Sequence, residues 1–383
     1  MSDLRLLEGD GTVSAVELGP GLTVSRPAEP PRSRTVYAAA HVVPVAWAEN
    51  VPGHPAVVDW DHTLAFRHHI WSWGLGVADA MDTAQRNMGL GWSATAELIR
   101  RSAHEASTVG GRLVAGVNTD HLPNDAATLA EIIDAYAMQL EVVEDSGAEA
   151  VLMASRHLAR AAESPADYER VYAAVLGRAS RPVVLHWLGE PFDPILRGYF
   201  GPDVETAMQT VVRIIDDHRD TVSGIKMSLL DPRHEITLRR RLPSGVTMFT
   251  GDDDNYVSLI AGDDAGHSDA LLGAFAAFPP AAALAVAALD RGDTEEYHRV
   301  LGPTQPLARQ IFSAPTPFYK TGVAFLSWLN GHQPSFTMVG GLHAGRSLRH
   351  LSEIIRLANV ADVLEQPELA RERWHRMLEL HGV

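Results

Sequence analysis

From residue 35 onward, short apolar runs alternate with longer amphipathic stretches, and this alternation constrains the fold more than any other feature. Short apolar runs between helical segments are typical of buried parallel strands joined by helices. Eight such runs occur, at 35–43, 76–82, 112–118, 149–155, 182–187, 222–227, 246–250 and 264–268. Eight strands, each followed by a helix, predict an α/β fold with a closed (β/α)8 TIM barrel. An open doubly wound sheet is the alternative, but no GxGxxG motif follows the first run.

The chain divides into three predicted regions. Residues 1–34 contain two β-like runs, DGTVSAVEL and GLTVSRP, around the turn Gly19-Pro20-Gly21, which predicts an N-terminal β-hairpin extension and a linker. Residues 35–277 are predicted to form the barrel. Residues 278–383 have the apolar spacing of α-helices, which predicts a C-terminal helical region packed on the barrel or at a subunit interface.

Composition excludes several classes of partner and of site. The chain is 46% hydrophobic and 21% charged, as expected of a globular protein with a sizeable core. Its net charge of −16 disfavours nucleic acid and anionic membranes as partners, which leaves a small-molecule substrate. Without cysteine, disulfides and thiolate chemistry are excluded. The N-terminus lacks the pattern of a signal peptide and no apolar run is long enough to span a membrane, so we expect a cytoplasmic protein.

The stretch VSGIKMS holds Lys226, one of only two lysines among 32 basic residues. Arginine stays charged, whereas a lysine amine made neutral by its surroundings can attack a carbonyl. Lys226 lies within the sixth predicted strand, where burial would lower its pKa, so it is our candidate nucleophile. The alternative is a structural lysine that forms a salt bridge and has no catalytic role. Lys320, the other lysine, falls in the C-terminal helices, where we expect a structural or rim role.

Three segments in order, PVVLHWLGEP, VSGIKMS and TMFTGDDDNYVSLIAGDDAGHS, resemble the dihydrodipicolinate synthase / N-acetylneuraminate lyase superfamily of class I aldolases. The Gly-Ile-Lys that carries the Schiff-base lysine in that family matches 224–226, and the family's Gly-Asp run matches 251–252. The resemblance covers roughly residues 35–330 and indicates a divergent branch. It implies a (β/α)8 barrel with a C-terminal helical region and a homo-oligomer, a dimer or tetramer.

The sequence departs from the family pattern at two places. His186 stands where the family has a tyrosine that relays protons, and histidine can transfer protons near neutral pH. The family's Gly-Thr-Thr-Gly-Glu, which holds the carboxylate of a 2-oxo acid, is replaced by MDTAQRNMGLGW. Asp82 in this stretch would repel such a carboxylate, and Arg86 is the candidate to restore an anion site.

The resulting prediction is a Schiff-base-forming class I lyase or aldolase of carbohydrate metabolism, which needs no external cofactor. It would cleave a C–C bond of, or dehydrate, a keto acid, keto sugar or sugar acid. Lys226 is the predicted nucleophile and His186 the proton-transfer residue. Active sites of barrels lie at the carboxyl ends of the strands. We therefore expect the substrate to be bound by the polar residues there, namely Asp82, Thr83, Asn118, Ser155, Asp252 and His267.

Two other functions remain open from the sequence. A divalent-metal-dependent sugar lyase, isomerase or hydrolase would draw its ligands from the strand ends, namely His41, Asp82, His157, His186 and His267. No HxH or HExxH spacing supports this metal site. The second alternative is a barrel that only binds, and the lysine retained in an arginine-rich chain argues against it.

Overall fold

The computed structural model describes residues 3–22, 24–123 and 125–383, and its centre is a closed barrel of eight parallel strands. The order around the barrel is β10-β3-β4-β5-β6-β7-β8-β9, so the last strand closes on the first. The strands are β1 Asp3–Leu7, β2 Val13–Glu17, β3 Val36–Ala39, β4 Gly76–Asp79, β5 Leu113–Val117, β6 Glu149–Leu152, β7 Val183–Leu188, β8 Val222–Ser228, β9 Thr247–Thr250 and β10 Asp269–Leu272. The predicted TIM barrel is confirmed.

Helices follow the barrel strands and then continue alone to the end of the chain. Those of the barrel are α1 Trp60–Ser72, α2 Trp92–Val109, α3 Leu129–Ser146, α4 Arg156–Ala161, α5 Pro165–Leu176, α6 Val204–Asp217, α7 Pro232–Arg239 and α8 Tyr256–Ala261. The C-terminal helices are α9 Pro279–Asp290, α10 Thr294–Leu301, α11 Thr304–Phe312, α12 Tyr319–Leu329, α13 Leu348–Val360 and α14 Pro367–Leu380. Among the described residues, none of these helices combines the length and the apolar character that crossing a bilayer requires.

Seven predicted strands overlap observed ones, but the eighth prediction is wrong. Residues 264–268 fall largely in a turn in which the amide of Asp263 donates to the carbonyl of Gly266 at 2.8 Å. The strand is β10, which begins at Asp269 and buries Ala270, Leu271 and Leu272 completely. A strand inside a closed parallel barrel is covered on both faces, so the apolar run forms it rather than the polar run before it.

The N-terminal hairpin is present, but it lies earlier in the chain than predicted. β1 pairs antiparallel with β2, and the amide of Glu8 donates to the carbonyl of Thr12 across the turn. The predicted turn at Gly19-Pro20-Gly21 and the second run at 21–27 are therefore not the hairpin. The described residues of that run carry no strand, and Thr23 lies outside the described residues.

The hairpin packs on the C-terminal helices, although it is distant from them in sequence. The indole of Trp374 donates to the carbonyl of Arg5 at 2.7 Å, and the amide of Leu7 donates to the hydroxyl of Ser352 at 2.8 Å. Leu4 and Leu6, which alternate along β1, are buried in this interface. The first and last segments of the chain thus form one layer.

A buried ion pair shapes the loop that follows β4. Arg67 on α1 donates to both carboxylate oxygens of Asp79, at 3.1 and 2.7 Å, and both side chains are fully buried. The guanidinium also donates to the carbonyls of His41 and Thr63. Asp79 in turn accepts from the amide of Ala80, which has a φ of 51°. This left-handed residue turns the chain from β4 toward the mouth of the barrel.

We expect Asp79→Asn to lower the free energy of unfolding by about 3–5 kcal/mol, because it leaves the buried guanidinium of Arg67 without its counter-charge. Urea denaturation measures the change. The control is Glu97→Gln in the exposed pair with Arg101, whose side chains are 40% and 44% exposed. That variant should stay within about 0.5 kcal/mol of the parent. Equal effects in the two variants would contradict the assignment.

Candidate active site

Lys226 lies on β8 with its side chain inside the barrel. Its neighbours Ile225 and Met227 pack in the outer core, so the alternation of the strand turns Lys226 inward. In the strand ladder it is paired with His186 on β7 and with Phe249 on β9. Phe249 belongs to the separate cluster of apolar side chains that fills the barrel interior. The predicted nucleophile and the predicted proton-transfer residue are therefore neighbours.

The side chain of Lys226 is largely buried, and its amine has no polar partner in the described residues. The residue is 7% exposed, and within residues 3–22, 24–123 and 125–383 its amine forms neither a hydrogen bond nor a salt bridge. Burial lowers the pKa of this amine below the ordinary value of 10.5, while the carboxylates of Asp253 and Asp82 oppose the shift. The neutral amine, which is the form that attacks a carbonyl, is thus more populated than in an exposed lysine.

Gly251 allows the chain after β9 to pass directly against Lys226. A Cβ at position 251 would lie 2.6 Å from Cε of Lys226, 2.1 Å from Oγ of Ser228 and 2.9 Å from the carbonyl oxygen of Met227. The amide of Gly251 donates to that carbonyl at 2.8 Å. The glycine of the Thr-Gly-Asp run is therefore required by a close approach of backbone to side chain.

His186 is fully buried beside the lysine. Its Nε2 lies 3.3 Å from the hydroxyl oxygen of Ser228, and its Nδ1 has no hydrogen-bond partner among the described residues. Burial, and then the neighbouring Lys226, hold the pKa of the imidazole well below 6.5. The ring is therefore neutral near physiological pH, which favours hydrogen bonding over the gain of a full proton.

The carboxylates that act electrostatically on the lysine include Asp253, which the sequence did not single out, while substrate binding by Asp252 stays a prediction. The carboxylate of Asp252 accepts from the side chain and the amide of Asn255 and from the amide of Asp254, so it closes the loop before α8. Asp253 is 3% exposed and accepts from the amide of Ala274 at 2.8 Å. Burial raises the pKa of Asp253 to about 8, and Lys226 opposes that shift. The run of three aspartates gave no signal to separate the two roles.

Asp82 and Thr83 lie in the short 3-10 turn after β4, as the strand-end prediction requires. The hydroxyl of Thr83 is 2.8 Å from the hydroxyl of Tyr319, which the sequence analysis missed. A Cβ on Gly273, directly after β10, would lie 3.0 Å from the Tyr319 ring and 3.4 Å from Oγ1 of Thr83. Tyr319 therefore reaches from α12 across the mouth of the barrel. Burial, then Asp82 and Asp253, keep the pKa of its phenol well above 10.

The second lysine of the chain borders the same site. Lys320 is 2% exposed, donates to the carbonyl of Pro317 at 2.9 Å and lies 4.8 Å from the centre of the Tyr319 ring. Burial lowers the pKa of Lys320 to about 8, and Asp82 opposes the shift. Asp82 thus acts electrostatically on both lysines. Lys320 therefore borders the site itself and does not lie only at its rim.

Asn118, Ser155 and His157 form a hydrogen-bonded group at the ends of β5 and β6. Oδ1 of Asn118 accepts from the amide of Thr119, whose hydroxyl lies 2.6 Å from Oγ of Ser155 and 2.8 Å from Nδ1 of His157. Ser155 also accepts from the amide of Leu158 as the N-cap of α4. Ser155 therefore has a structural role, and substrate binding by Asn118 and Ser155 stays a prediction.

Two predicted site residues point elsewhere. His267 is exposed and precedes β10, so it lies at the amino end of that strand, opposite the mouth. Its predicted position at a carboxyl end followed from the misplaced eighth strand. His41 follows β3, but its Nε2 lies 2.7 Å from Oε1 of Gln333 and its ring packs on Phe66 of α1. It faces the C-terminal region instead of Lys226.

Arg86 is not available to hold a substrate anion. Its buried guanidinium is paired with the carboxylate of Asp120 and donates to Oε1 of Gln139. It also donates to the carbonyls of Ala80 and Gly116. These bonds fix the loop after β4 to the end of β5. Arg86 therefore does not form the anion site that it was predicted to restore, because its guanidinium is already bonded within the protein.

The five residues of the metal alternative do not come together as ligands. In the described part of the chain, the group whose ligand atoms all lie within 4.8 Å of one another is a different one, His69, His332 and Glu365. The strand-end histidines have the separate partners described above.

The architecture is that of known enzymes, at low sequence identity. The synthase of dihydrodipicolinate from Aquifex aeolicus is 12% identical, with a TM-score of 0.65 over 87% of this chain and 99% of that one. A 4-hydroxy-tetrahydrodipicolinate synthase from Methylacidiphilum fumariolicum is 16% identical, with a TM-score of 0.64 over 88% and 99%. YagE, a prophage protein of the dihydrodipicolinic acid synthase family from E. coli K12 in complex with pyruvate, has the same values. The resemblance is confirmed at the level of the fold.

The sequence comparisons identify the family of the chain. None of the curated proteins compared with it matches in sequence. One family model matches residues 4–383, which is nearly the whole chain, including the N-terminal hairpin and the C-terminal helices. The chain therefore belongs to the family described as "Protein of unknown function (DUF993)", whose member here is built on the barrel of the dihydrodipicolinate synthases.

Proposed function

We propose that this protein is a class I lyase that forms an imine between Lys226 and a ketone substrate. The observation that carries the proposal is the side chain of Lys226, which is 7% exposed inside the mouth of a barrel and whose amine has no hydrogen-bond or salt-bridge partner in the described residues. A lysine with a structural role usually pairs its amine, because a largely buried charge without a partner costs free energy. A nucleophile needs this arrangement, because its lone pair must be free to attack.

The reaction follows from the chemistry of the amine. The Nζ lone pair attacks the ketone carbon, and a proton moves from nitrogen to the former carbonyl oxygen to give a carbinolamine. A neighbouring acid then protonates the carbinolamine hydroxyl, which leaves as water and gives a protonated imine. When the hydroxyl on the second carbon from the imine carbon loses its proton, the bond between that hydroxyl-bearing carbon and the carbon next to the imine carbon breaks. An aldehyde departs and the bonding electrons pass to the imine nitrogen, which leaves an enamine. Protonation of the enamine carbon and hydrolysis release a second carbonyl product and restore Lys226.

Asp253 is the group best suited to exchange protons with Lys226. Its pKa is raised to about 8, so the protonated acid is available near neutral pH to help the carbinolamine oxygen leave as water. The ionised form of Asp253 can in turn accept a proton in a later step. The hydroxyl pair of Thr83 and Tyr319 lies across the mouth and offers a second proton path. His186 and Ser228 provide a neutral hydrogen-bonding pair beside the imine carbon.

The charges around the mouth favour a hydroxylated ketone over a small 2-oxo acid. Asp82 and Asp253 both act on Lys226, and Arg86 is fully engaged by Asp120 and backbone carbonyls. Asp82 also acts on the buried Lys320, where it opposes the lowering of the pKa by burial. Carboxylates and hydroxyls suit the hydroxyl groups of a sugar. We therefore propose a keto sugar as the substrate, with Lys320 as the contact for a carbonyl or carboxylate at its far end.

Reductive trapping tests the imine. The protein is incubated with keto sugars and 2-oxo acids, reduced with borohydride and mapped by mass spectrometry. We expect a stable adduct on the peptide that contains Lys226, and its loss in Lys226→Arg, because a guanidinium does not form the imine. Lys320→Arg removes the other lysine and should still be trapped at residue 226, at a lower rate because Lys320 is the proposed substrate contact.

An adduct at Lys320, or trapping that persists in Lys226→Arg, would overturn the assignment of the nucleophile. Cleavage of a substrate by the parent protein without any adduct would overturn the imine itself.

Gly251→Ala should slow catalysis in the folded protein, with circular dichroism as the check that the variant folds. The new Cβ would displace Lys226 and Ser228 by a large fraction of an ångström, and misplacing a reacting group by about 1 Å costs roughly 100-fold in rate. The rate of adduct formation measures the loss. Gly91→Ala is the control, because its Cβ meets nothing within 4 Å and its φ is −77°. An unchanged rate in Gly251→Ala would show that the close approach has no role in placing the amine.

A further inference from the structure

Three side chains distant in sequence converge outside the barrel, where α1 meets the C-terminal region. His69 lies in the last turn of α1, His332 follows α12, and Glu365 lies between α13 and α14. Nε2 of His69 and Nε2 of His332 approach the same oxygen, Oε1 of Glu365, at 3.3 and 2.9 Å. None of the three takes part in the site around Lys226.

The two imidazoles present their Nε2 atoms to one point. Their ring centroids are 4.1 Å apart with an interplanar angle of 40°. Nε2 of His69 is buried and has no hydrogen-bond partner in the part of the chain that the structure describes, although Oε1 of Glu365 is 3.3 Å away. A buried ring nitrogen without a hydrogen bond costs free energy, and a metal ion that takes its lone pair removes that cost.

The spacing suits a tetrahedral ion. Bonds of about 2.0–2.1 Å from zinc to nitrogen and oxygen place neighbouring ligand atoms roughly 3.3 Å apart. The two distances to the Glu365 oxygen lie close to that value. The exposed fractions of the three side chains, 13%, 17% and 20%, leave one side open to a water molecule as the fourth ligand.

The surroundings hold each ligand in place. The ring of Phe66 packs against both imidazoles, with centroids 6.1 Å from His69 and 5.6 Å from His332. The amide of Glu365 donates to Oδ1 of Asn330, which is 1% exposed. The amide of His332 donates to the carbonyl of Ser327 at 2.9 Å. The two hydrogen bonds from main-chain amides fix the backbone from which Glu365 and His332 project, and the packing of Phe66 limits the movement of the two rings.

We propose that His69, His332 and Glu365 bind one divalent transition-metal ion, Zn²⁺ by preference, which clamps α1 of the barrel to the C-terminal region. Two neutral imidazoles and one carboxylate form a ligand set that zinc accepts readily. The ion stabilises the contact between regions far apart in sequence, including α12, whose first residues are Tyr319 and Lys320. This site is independent of the imine chemistry.

Untagged full-length protein, first stripped with a chelator, is titrated with Zn²⁺ by calorimetry. We expect one ion per chain and a rise in melting temperature with added Zn²⁺. Loss of a residue that only contacts a metal ligand typically weakens metal binding by about 10–100-fold. Because His332 and Glu365 are proposed as ligands themselves, His332→Ala and Glu365→Gln should each weaken Zn²⁺ binding by more than that. The control is His62→Ala, which removes an exposed histidine paired with Asp59. It should bind as the parent does.

Co²⁺ provides a test that needs no variant. Bound to the parent protein, it should show the intense visible absorption of a four-coordinate ion. A chain that binds neither ion, or binds Zn²⁺ equally well in the ligand variants, or gives only the pale spectrum of hydrated Co²⁺, would overturn the proposal. The three side chains would then be a hydrogen-bonded group only.

Discussion

The burial of the Lys226 amine is the constraint on which the arrangement of the barrel mouth depends. An amine inside a closed barrel either pairs with a carboxylate or loses its proton, and here the carboxylates of Asp82 and Asp253 act on it without forming a salt bridge. Burial lowers the pKa of the amine and raises that of Asp253, so the two groups favour their neutral forms together. Gly251 keeps the space that the side chain occupies, and His186 adds a neutral ring beside it.

The C-terminal helices are part of this site as well as a covering layer. Tyr319 and Lys320, the first two residues of α12, lie against the loop that carries Asp82 and Thr83. That loop is itself held by two buried guanidinium groups, Arg67 on its near side and Arg86 within it. The chain thus uses arginine where a permanent charge fixes the backbone. Its only two lysines stand where the charge can be lost.

The alternation of apolar runs was sufficient to predict the barrel and to place Lys226 within its sixth strand. The direction of the side chain came only from the structure, because a strand buried on both faces has apolar residues on each side. The eighth strand was misplaced because a polar run with a histidine preceded a short apolar one, and His267 was misplaced with it. Asp253 was missed because three consecutive aspartates have the same local signal. Tyr319 and Lys320 were beyond prediction, since contact between α12 and the mouth depends on tertiary packing rather than on any local pattern.

The central claim is that Lys226 titrates as an amine destabilised by burial, and the chain allows a direct measurement because lysine labelled at Cε gives only two NMR signals. The signal absent from Lys226→Arg belongs to residue 226, and its chemical shift is followed against pH. The account predicts a pKa below the ordinary 10.5, which falls further in Asp253→Asn because the carboxylate that favours the charged form is gone. A pKa at or above 10.5 for Lys226 would contradict it.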